Sequence, residues 1–372
     1  RLPISPSRQI SFYYILMVSF YYRKYLSMDL TKFDFELPTE QIAQFPKIDR
    51  ASSKLLVVSN NESFHTSKFL HIIKYLRPND VVILNDTKVI PARLISKKKS
   101  GGRVEILLER IIDSTRARVR LGGNIKNLLN RSLIVDDETE LVVVSREDDF
   151  FVLKTLDGSI LETFIKYGQV PLPPYIKRKP MKRDEKSYQT IYGTMLGAVA
   201  APTAGLHITD MFFEKCKKNQ VKVGFLTLHV ASGTYQPIKS KNIQDHRMHS
   251  EYFEVSNETC KLVRDARKTG RRVIAIGTTV LRALESLYLY NPELLPFRGE
   301  TDIYIKPGFD FRVVDALVTN FHLPKSSLFV LACAFGGLER IKQAYSYALH
   351  QDFKFFSYGD AMYIERKRDE RV

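Results

Sequence analysis

Apolar and polar positions divide the chain into regions of different texture. Near the start, "LLVV" from Leu55 and "DVVILNDTKVIPARL" from Asp80 read as buried strands, the second ending in a turn at residues 85–87. A polar, glycine-closed break, "SKKKSGG", follows at residues 96–102. Between about residues 102 and 169 the runs shorten to "RVEILLER", "RARVRLGG", "SLIVDD", "ELVVVSRE" and "DFFVLKTL". Their spacing and turn residues predict a small β-barrel inserted into another domain. After a stiff basic linker, "PLPPYIKRKPMKR", strand and helix patterns alternate: "VKVGFLTLHV", "SNETCKLVRDARKTG", "RRVIAIG", "TTVLRALESLYLY", "RVVDALVTNFHLP" and "SSLFVLACAFGG". Such alternation predicts an α/β fold, a three-layer α/β/α domain with a mixed sheet. The expected division is a discontinuous α/β domain at 28–95 and 175–372, with the barrel at 96–174.

Length and charge narrow the function. A chain of 372 residues is long enough for two domains with substantial cores. Its 57 Lys and Arg against 41 Asp and Glu give a net charge of +16, which suits a polyanionic partner such as nucleic acid, although a lysine-biased genome would leave the same mark. Cys216, Cys260 and Cys333 lie far apart without CxxC pairing, so neither a disulfide framework nor a zinc site is indicated, and a reducing cytoplasm is expected. Residues 1–27 read differently. Their aromatic-rich "ISFYYILMVSFYY" is too short to span a bilayer and lacks a signal-peptide cleavage site, whereas Met28 with "DLTKFDFELP" has the texture of a true N-terminus. An upstream-translated or non-native extension is expected there. It carries four basic residues and no acid, so without it +16 becomes +12 and the basic excess survives.

Candidate chemistry gathers where apolar runs meet turns. "GAVAAPTAGLH", residues 197–207, has almost no bulk until its final imidazole, as the wall of a site would. His207, His229 and His322 each close an apolar run, and in α/β sheets ligands collect beyond the carboxyl ends of strands. A lone strand-end histidine is usually a structural hydrogen-bond partner; three beside Gly, Thr or Asn shift the balance toward function. In "AIGTTVLRALES", a strand stops at Gly277 and Thr278 or Thr279 can cap a helix whose N-terminus would hold an anion, while Arg282 and Glu285 share a face one turn on. "DHRMHSE" offers Asp245, His246, His249 and Glu251, but Arg247 beside them argues against a metal, leaving acid–base work or anchoring of a carboxylate and amine. The basic runs at residues 97–99 and 177–183, with Tyr175 and Tyr188, could contact phosphates and stack on a base.

Taken in order, "NDTKVIPARL", "PLPPYI", "AAPTAGLH", "TLHVASGTYQP", "DHRMHSEYFEV", "IGTTVLRALES", "VVDALVTNFHLP" and "FFSYGDAM" resemble the S-adenosylmethionine:tRNA ribosyltransferase-isomerase family of queuosine biosynthesis. The likeness runs from Met28 to about Tyr363 and departs from the family pattern at Lys88, Val280, Glu300 and Cys333, where arginine, serine, an aromatic residue and serine are usual. The resemblance implies an α/β domain with an inserted barrel. It also implies transfer and isomerisation of the ribosyl group of S-adenosylmethionine onto 7-aminomethyl-7-deazaguanine at a tRNA wobble position, giving epoxyqueuosine and releasing adenine and methionine. S-adenosylmethionine would be the co-substrate, tRNA the partner, no metal or membrane would take part, and the enzyme would be a monomer. On this reading His207 or His322 supplies the base, with His229, Asp245 and His246 as further catalytic candidates. Thr203, Gly205, Glu251, Gly277, Thr278, Thr279 and Asn320 would hold the co-substrate. Arg93, Lys97, Lys98, Lys177, Arg178, His249, Arg282 and Glu285 would face the tRNA. The rival readings are a tRNA-binding protein without catalysis and a metal-dependent hydrolase built on His246 and His249.

Overall fold

A computed structural model of the chain describes residues 28–60, 63–136, 138–231 and 237–366. The suspected extension at residues 1–27 and the "SGTYQ" part of its motif, at 232–236, lie outside them. The first strands are β1 (Lys54–Val58), β2 (Phe64–Lys68), β3 (Val81–Asn85) and β4 (Thr87–Val89). Next come β5 (Arg93–Lys98), β6 (Arg103–Ile111), β7 (Arg116–Gly123), β8 (Ser132–Asp136), β9 (Thr139–Glu147) and β10 (Phe150–Thr155), which close into an antiparallel barrel in the order β10-β7-β6-β5-β8-β9. Helix α1 (Ile160–Tyr167), capped by the Ser159 side chain, plugs the barrel core with Ile160 and Phe164.

Helix α2 (Lys182–Ser187) follows, then β11 (Met195–Ala198), helix α3 (Asp210–Lys218), β12 (Lys222–Leu228) and β13 (Glu251–Val255). Helix α4 (Asn257–Lys268), β14 (Val273–Ile276), helix α5 (Thr278–Tyr290), β15 (Phe297–Thr301), β16 (Ala316–Asn320), helices α6 (Ser327–Gly336) and α7 (Leu338–His350), and β17 (Ala361–Glu365) complete the order. Nine strands form one sheet, β15-β13-β12-β3-β14-β16-β17-β1-β2, parallel from β12 through β16 and antiparallel at β13, β15 and β2. The sheet is mixed because β17 runs antiparallel to β16 but parallel to β1.

Alternating residues build the layers. Val81 and Ile83 of β3 join one core with α4 to α7, while Val82 and Leu84 join the other with α3 and the 3-10 helix Phe69–Tyr75. Every residue of β3, β14 and β16 is buried, as two-sided coverage requires. At about 25 cal/mol per Å² of apolar surface, burying each Val or Leu contributes roughly 1.5–3 kcal/mol, so both faces of these strands contribute to stability.

One departure from the sequence reading concerns a boundary. The barrel begins at Arg93, three residues before the expected break at 96. There the chain leaves and re-enters the α/β region side by side: Arg93 N–H donates to the Gln169 carbonyl at 3.2 Å and Gln169 N–H to the Arg93 carbonyl at 2.8 Å. A Cβ on Gly168 would lie 1.9 Å from the Pro91 carbonyl oxygen, so only glycine lets the two segments cross. Among the described residues no helix is long and apolar enough to cross a membrane.

Candidate functional site

The carboxyl ends of β3 and β12 and the first turn of α5 are drawn together by Asn85. Its Nδ2 donates to the Leu228 carbonyl at 2.9 Å and to Thr279 Oγ1 at 3.2 Å, while Oδ1 accepts from the N–H groups of Leu228 and Thr87 at 3.0 and 3.1 Å. Every hydrogen-bonding site of the amide is used, so the strand tips are locked in register. The sequence offered Asn85 only as a turn residue.

Beyond the tips of β14 and β16 lies a narrow cavity of about 70 Å³. Ala201, Pro202, Thr203 and Ala204 form the small-residue wall, and Gly277, Thr278, Thr279, Asn320 and His322 also line it. Four of the expected co-substrate contacts beyond Gly277 therefore meet here: Thr203, Thr278, Thr279 and Asn320. The helix cap differs from expectation. Gly277 itself is the N-cap of α5, at φ 107°, and no side chain caps the helix, so Thr278 and Thr279 lie inside the first turn. A positive φ excludes most other residues, and the uncapped first-turn N–H groups give this end of the cavity a partial positive charge.

The three histidines separate. His322 lines the cavity; its Nε2 is 2.8 Å from Thr319 Oγ1, and burial lowers its pKa to about 3. His207 does not line the cavity. It is buried behind Asn320, stacked near Phe69 with ring centroids 4.9 Å apart, and burial lowers its pKa to about 4, outweighing the nearby Asp360 carboxylate. The ring expected as a base is thus turned into the core, with Asn320 between it and the cavity. His229 lies across the fold, in a cleft of about 820 Å³ between the barrel and the β12–β13 edge. Its Nδ1 is 2.8 Å from Thr87 Oγ1 and its ring stacks on Tyr252; burial lowers its pKa and Glu254 opposes that shift.

Two glycines of the opening wall have steric reasons. A Cβ on Gly197 would lie 2.4 Å from His229 Nε2, and one on Gly205 would lie 2.1 Å from the Tyr192 hydroxyl. Gly205 lines none of the cavities described; it makes room for Tyr192.

Asp245, His246, His249 and Glu251 line a third hollow, which joins the cleft at Phe150, Ala231, His249 and Glu251. The two imidazoles rest on different aromatic partners, His246 on Tyr304 and His249 on Phe150, rather than facing one point. Among the described residues no group of three or more His, Cys, Asp or Glu is placed to hold a metal ion. Glu251 is buried; it pairs with Arg282 and accepts the Ala231 N–H at 3.1 Å.

Several residues expected to face tRNA belong to the scaffold. Arg282 is buried on Glu251, and Glu285 accepts the N–H groups of Arg312, Val313 and Val314 at 2.9, 3.0 and 3.0 Å. Arg178 spends its guanidinium on Asp184, at 2.7 and 2.8 Å, and on the Gln44 carbonyl; Asp184 also accepts from Tyr358. Tyr188 is fully buried against Tyr358 and cannot stack on a base, whereas Tyr175 reaches the cavity and bonds Ser357. Arg93, Lys177 and Arg178 do line a groove at the barrel junction, with Arg103, Lys166, Lys179 and Lys182; Lys97 and Lys98 lie farther along β5, opposite β8.

Asp86 was missed. It lies beyond β3, accepts from Thr227 Oγ1 at 2.7 Å, and burial raises its carboxyl pKa. Its signal was the turn motif itself.

The family model described as "Queuosine biosynthesis protein" matches residues 30–364. The chain belongs to that family. Among curated members of the queuosine biosynthesis family, the S-adenosylmethionine:tRNA ribosyltransferase-isomerase of Coxiella burnetii is 46% identical over 335 residues, covering 89% of this chain and 97% of that protein. The protein of the same name from Ralstonia pickettii is 46% identical over 346 residues, covering 92% and 96%. The crystal structure of S-adenosylmethionine tRNA ribosyltransferase from Thermotoga maritima superposes with a TM-score of 0.50 at 33% identity, over 90% of this chain and 99% of that one.

Proposed function

We propose that the chain is an S-adenosylmethionine:tRNA ribosyltransferase-isomerase, transferring and isomerising the ribosyl group of S-adenosylmethionine onto 7-aminomethyl-7-deazaguanine at the wobble position of a tRNA. It works as a monomer in the cytoplasm, where its tRNA is. The observation that carries the reading is the difference in charge between the two spaces. No acidic side chain lines the cavity at the strand tips, which suits a neutral nucleoside base. Glu109, Glu251, Glu254 and Glu300 line the cleft around His229 beside Arg110, Arg118 and Arg298, with Glu300 paired to Arg110 and Glu254 to Arg298; four carboxylates against three guanidinium groups leave room for the cationic aminomethyl group of the tRNA base.

His322, held neutral by burial, exchanges a proton with the occupant of the cavity. His229 takes the proton that the incoming amine must lose before it can attack, with Glu254 favouring the charged ring. Glu251, where hollow and cleft meet, and Asp245 within the hollow hold a cationic group. The groove carrying Arg93, Lys177 and Lys179 receives the tRNA backbone, whose binding then weakens steeply with salt.

Incubation with S-adenosylmethionine and a tRNA bearing the 7-aminomethyl base, followed by nucleoside mass analysis, tests the assignment. Epoxyqueuosine with released adenine is expected; bound tRNA with no new nucleoside would instead establish a binding protein.

A further inference from the structure

We infer that Asn320 reads the purine of the donor nucleoside, and that His207 acts through Asn320 by holding its amide in the one orientation that offers an acceptor to the cavity. The inference rests on the proposed use of S-adenosylmethionine and adds how its base is recognised.

Asn320 is the last residue of β16, is 2% exposed, and lines the cavity. Its Nδ2 donates to the Phe356 carbonyl at 3.0 Å and to His207 Nε2 at 3.3 Å. That fixes the imidazole as well. Nε2 must present its lone pair to that donor, which leaves the ring proton on the other nitrogen. Rotating the amide by half a turn would set Oδ1 against a carbonyl oxygen and an imidazole lone pair, so two acceptors on one side hold it.

What remains is Oδ1. Among the described residues it has no hydrogen-bond partner, a standing cost for a buried carbonyl that a ligand donor removes. The donor is a neutral amine. With no acidic side chain lining the cavity and the positive end of α5 opening into it, an ammonium group there would be uncompensated. Aromatic rings of Phe321, Phe356 and Tyr175 supply flat walls. The 6-amino group of adenine meets both requirements, whereas a 6-oxo purine would set acceptor against acceptor. His207 is therefore a positioning residue, and Asn320 sets specificity.

The test compares S-adenosylmethionine with its inosyl counterpart, which carries a 6-oxo group in place of the 6-amino group. Calorimetric titration of the unaltered protein should give about 10- to 100-fold tighter binding of the adenosyl form. In Asn320→Ala the preference should fall to about threefold or less. His207→Ala should reduce it as well, although Asn320 remains, because one of the two acceptors that hold the amide is then lost. A purely structural His207 would lower the melting temperature and leave the ratio alone. Equal binding of the two compounds by the unaltered protein overturns the inference without recourse to any variant, as does full preference in a folded Asn320→Ala. If adenine release from S-adenosylmethionine occurs normally in that case, only the inference falls; if neither compound binds and no adenine appears, the proposed function falls with it.

Discussion

Acidification should weaken this protein through His207 before most carboxylates titrate. The ring is 4% exposed, and burial lowers its pKa from 6.5 to about 4, so it is neutral in the folded state and gains a proton readily on unfolding. Because the folded pKa lies below the unfolded one, the contribution to stability is complete above pH 6.5. It is lost as pH falls, at about 1.4 kcal/mol per pH unit, until the folded ring also titrates near pH 4. Over that window His207 accounts for about 3 kcal/mol, a large share of a typical domain's stability. His207→Gln, which cannot titrate, isolates the effect from the carboxylates and from His322, which acts in the same direction down to about pH 3. The chain has no tryptophan, so urea unfolding should be followed by circular dichroism at pH values between 7.5 and 4.5. The unaltered protein should lose stability faster than His207→Gln as pH drops, and the gap between them should shrink by at least about 2 kcal/mol by pH 4.5. Parallel curves would refute the burial argument.

Gly197→Ala places a methyl group 2.4 Å from His229 Nε2, in a ring already fixed by Tyr252 and Thr87, and should lower kcat/KM for tRNA at least about tenfold while shifting the melting temperature little; a change under twofold would remove His229 from the reaction. Glu285→Ala strands three N–H groups, two of them buried, and should cost about 2–4 kcal/mol in denaturant unfolding, with a loss below about 1 kcal/mol contradicting the anchoring role. Lys177→Ala and Lys179→Ala should each reduce the slope of log affinity for tRNA against log salt by about 0.9, whereas Arg178→Ala should lower the melting temperature through the loss of Asp184's partner; an unchanged slope in both lysine variants would move tRNA off the groove.

The strands of the central sheet were legible because burial on two faces demands continuous apolar runs, and β3, β14 and β16 show them. The barrel was legible for the opposite reason: short alternating runs bounded by turns. Side-chain direction was not. His207 and His322 both end apolar runs, yet one faces the cavity and the other backs a neighbouring amide, a difference made by the short 3-10 helix at Thr203–His207. Arg178 and Tyr188 lie in a basic, aromatic stretch that reads as a nucleic-acid surface, but Asp184 and Tyr358 draw both inward. The helix start misled in a smaller way, since threonine usually caps and here a glycine at φ 107° does so. Asp86 went unremarked because a carboxylate in a turn is ordinary until burial raises its pKa.

The paired hydrogen bonds between Arg93 and Gln169 make the barrel a pendant on a narrow neck. Since the two ends already touch, the strand before them and the linker after them could be joined by a few residues, and the loop-closure entropy of the parent sheet would scarcely change. The appendage can thus be swapped, trimmed or enlarged with small thermodynamic consequence for the layers beneath, leaving one wall of the substrate cleft free to diverge while the strand tips stay fixed.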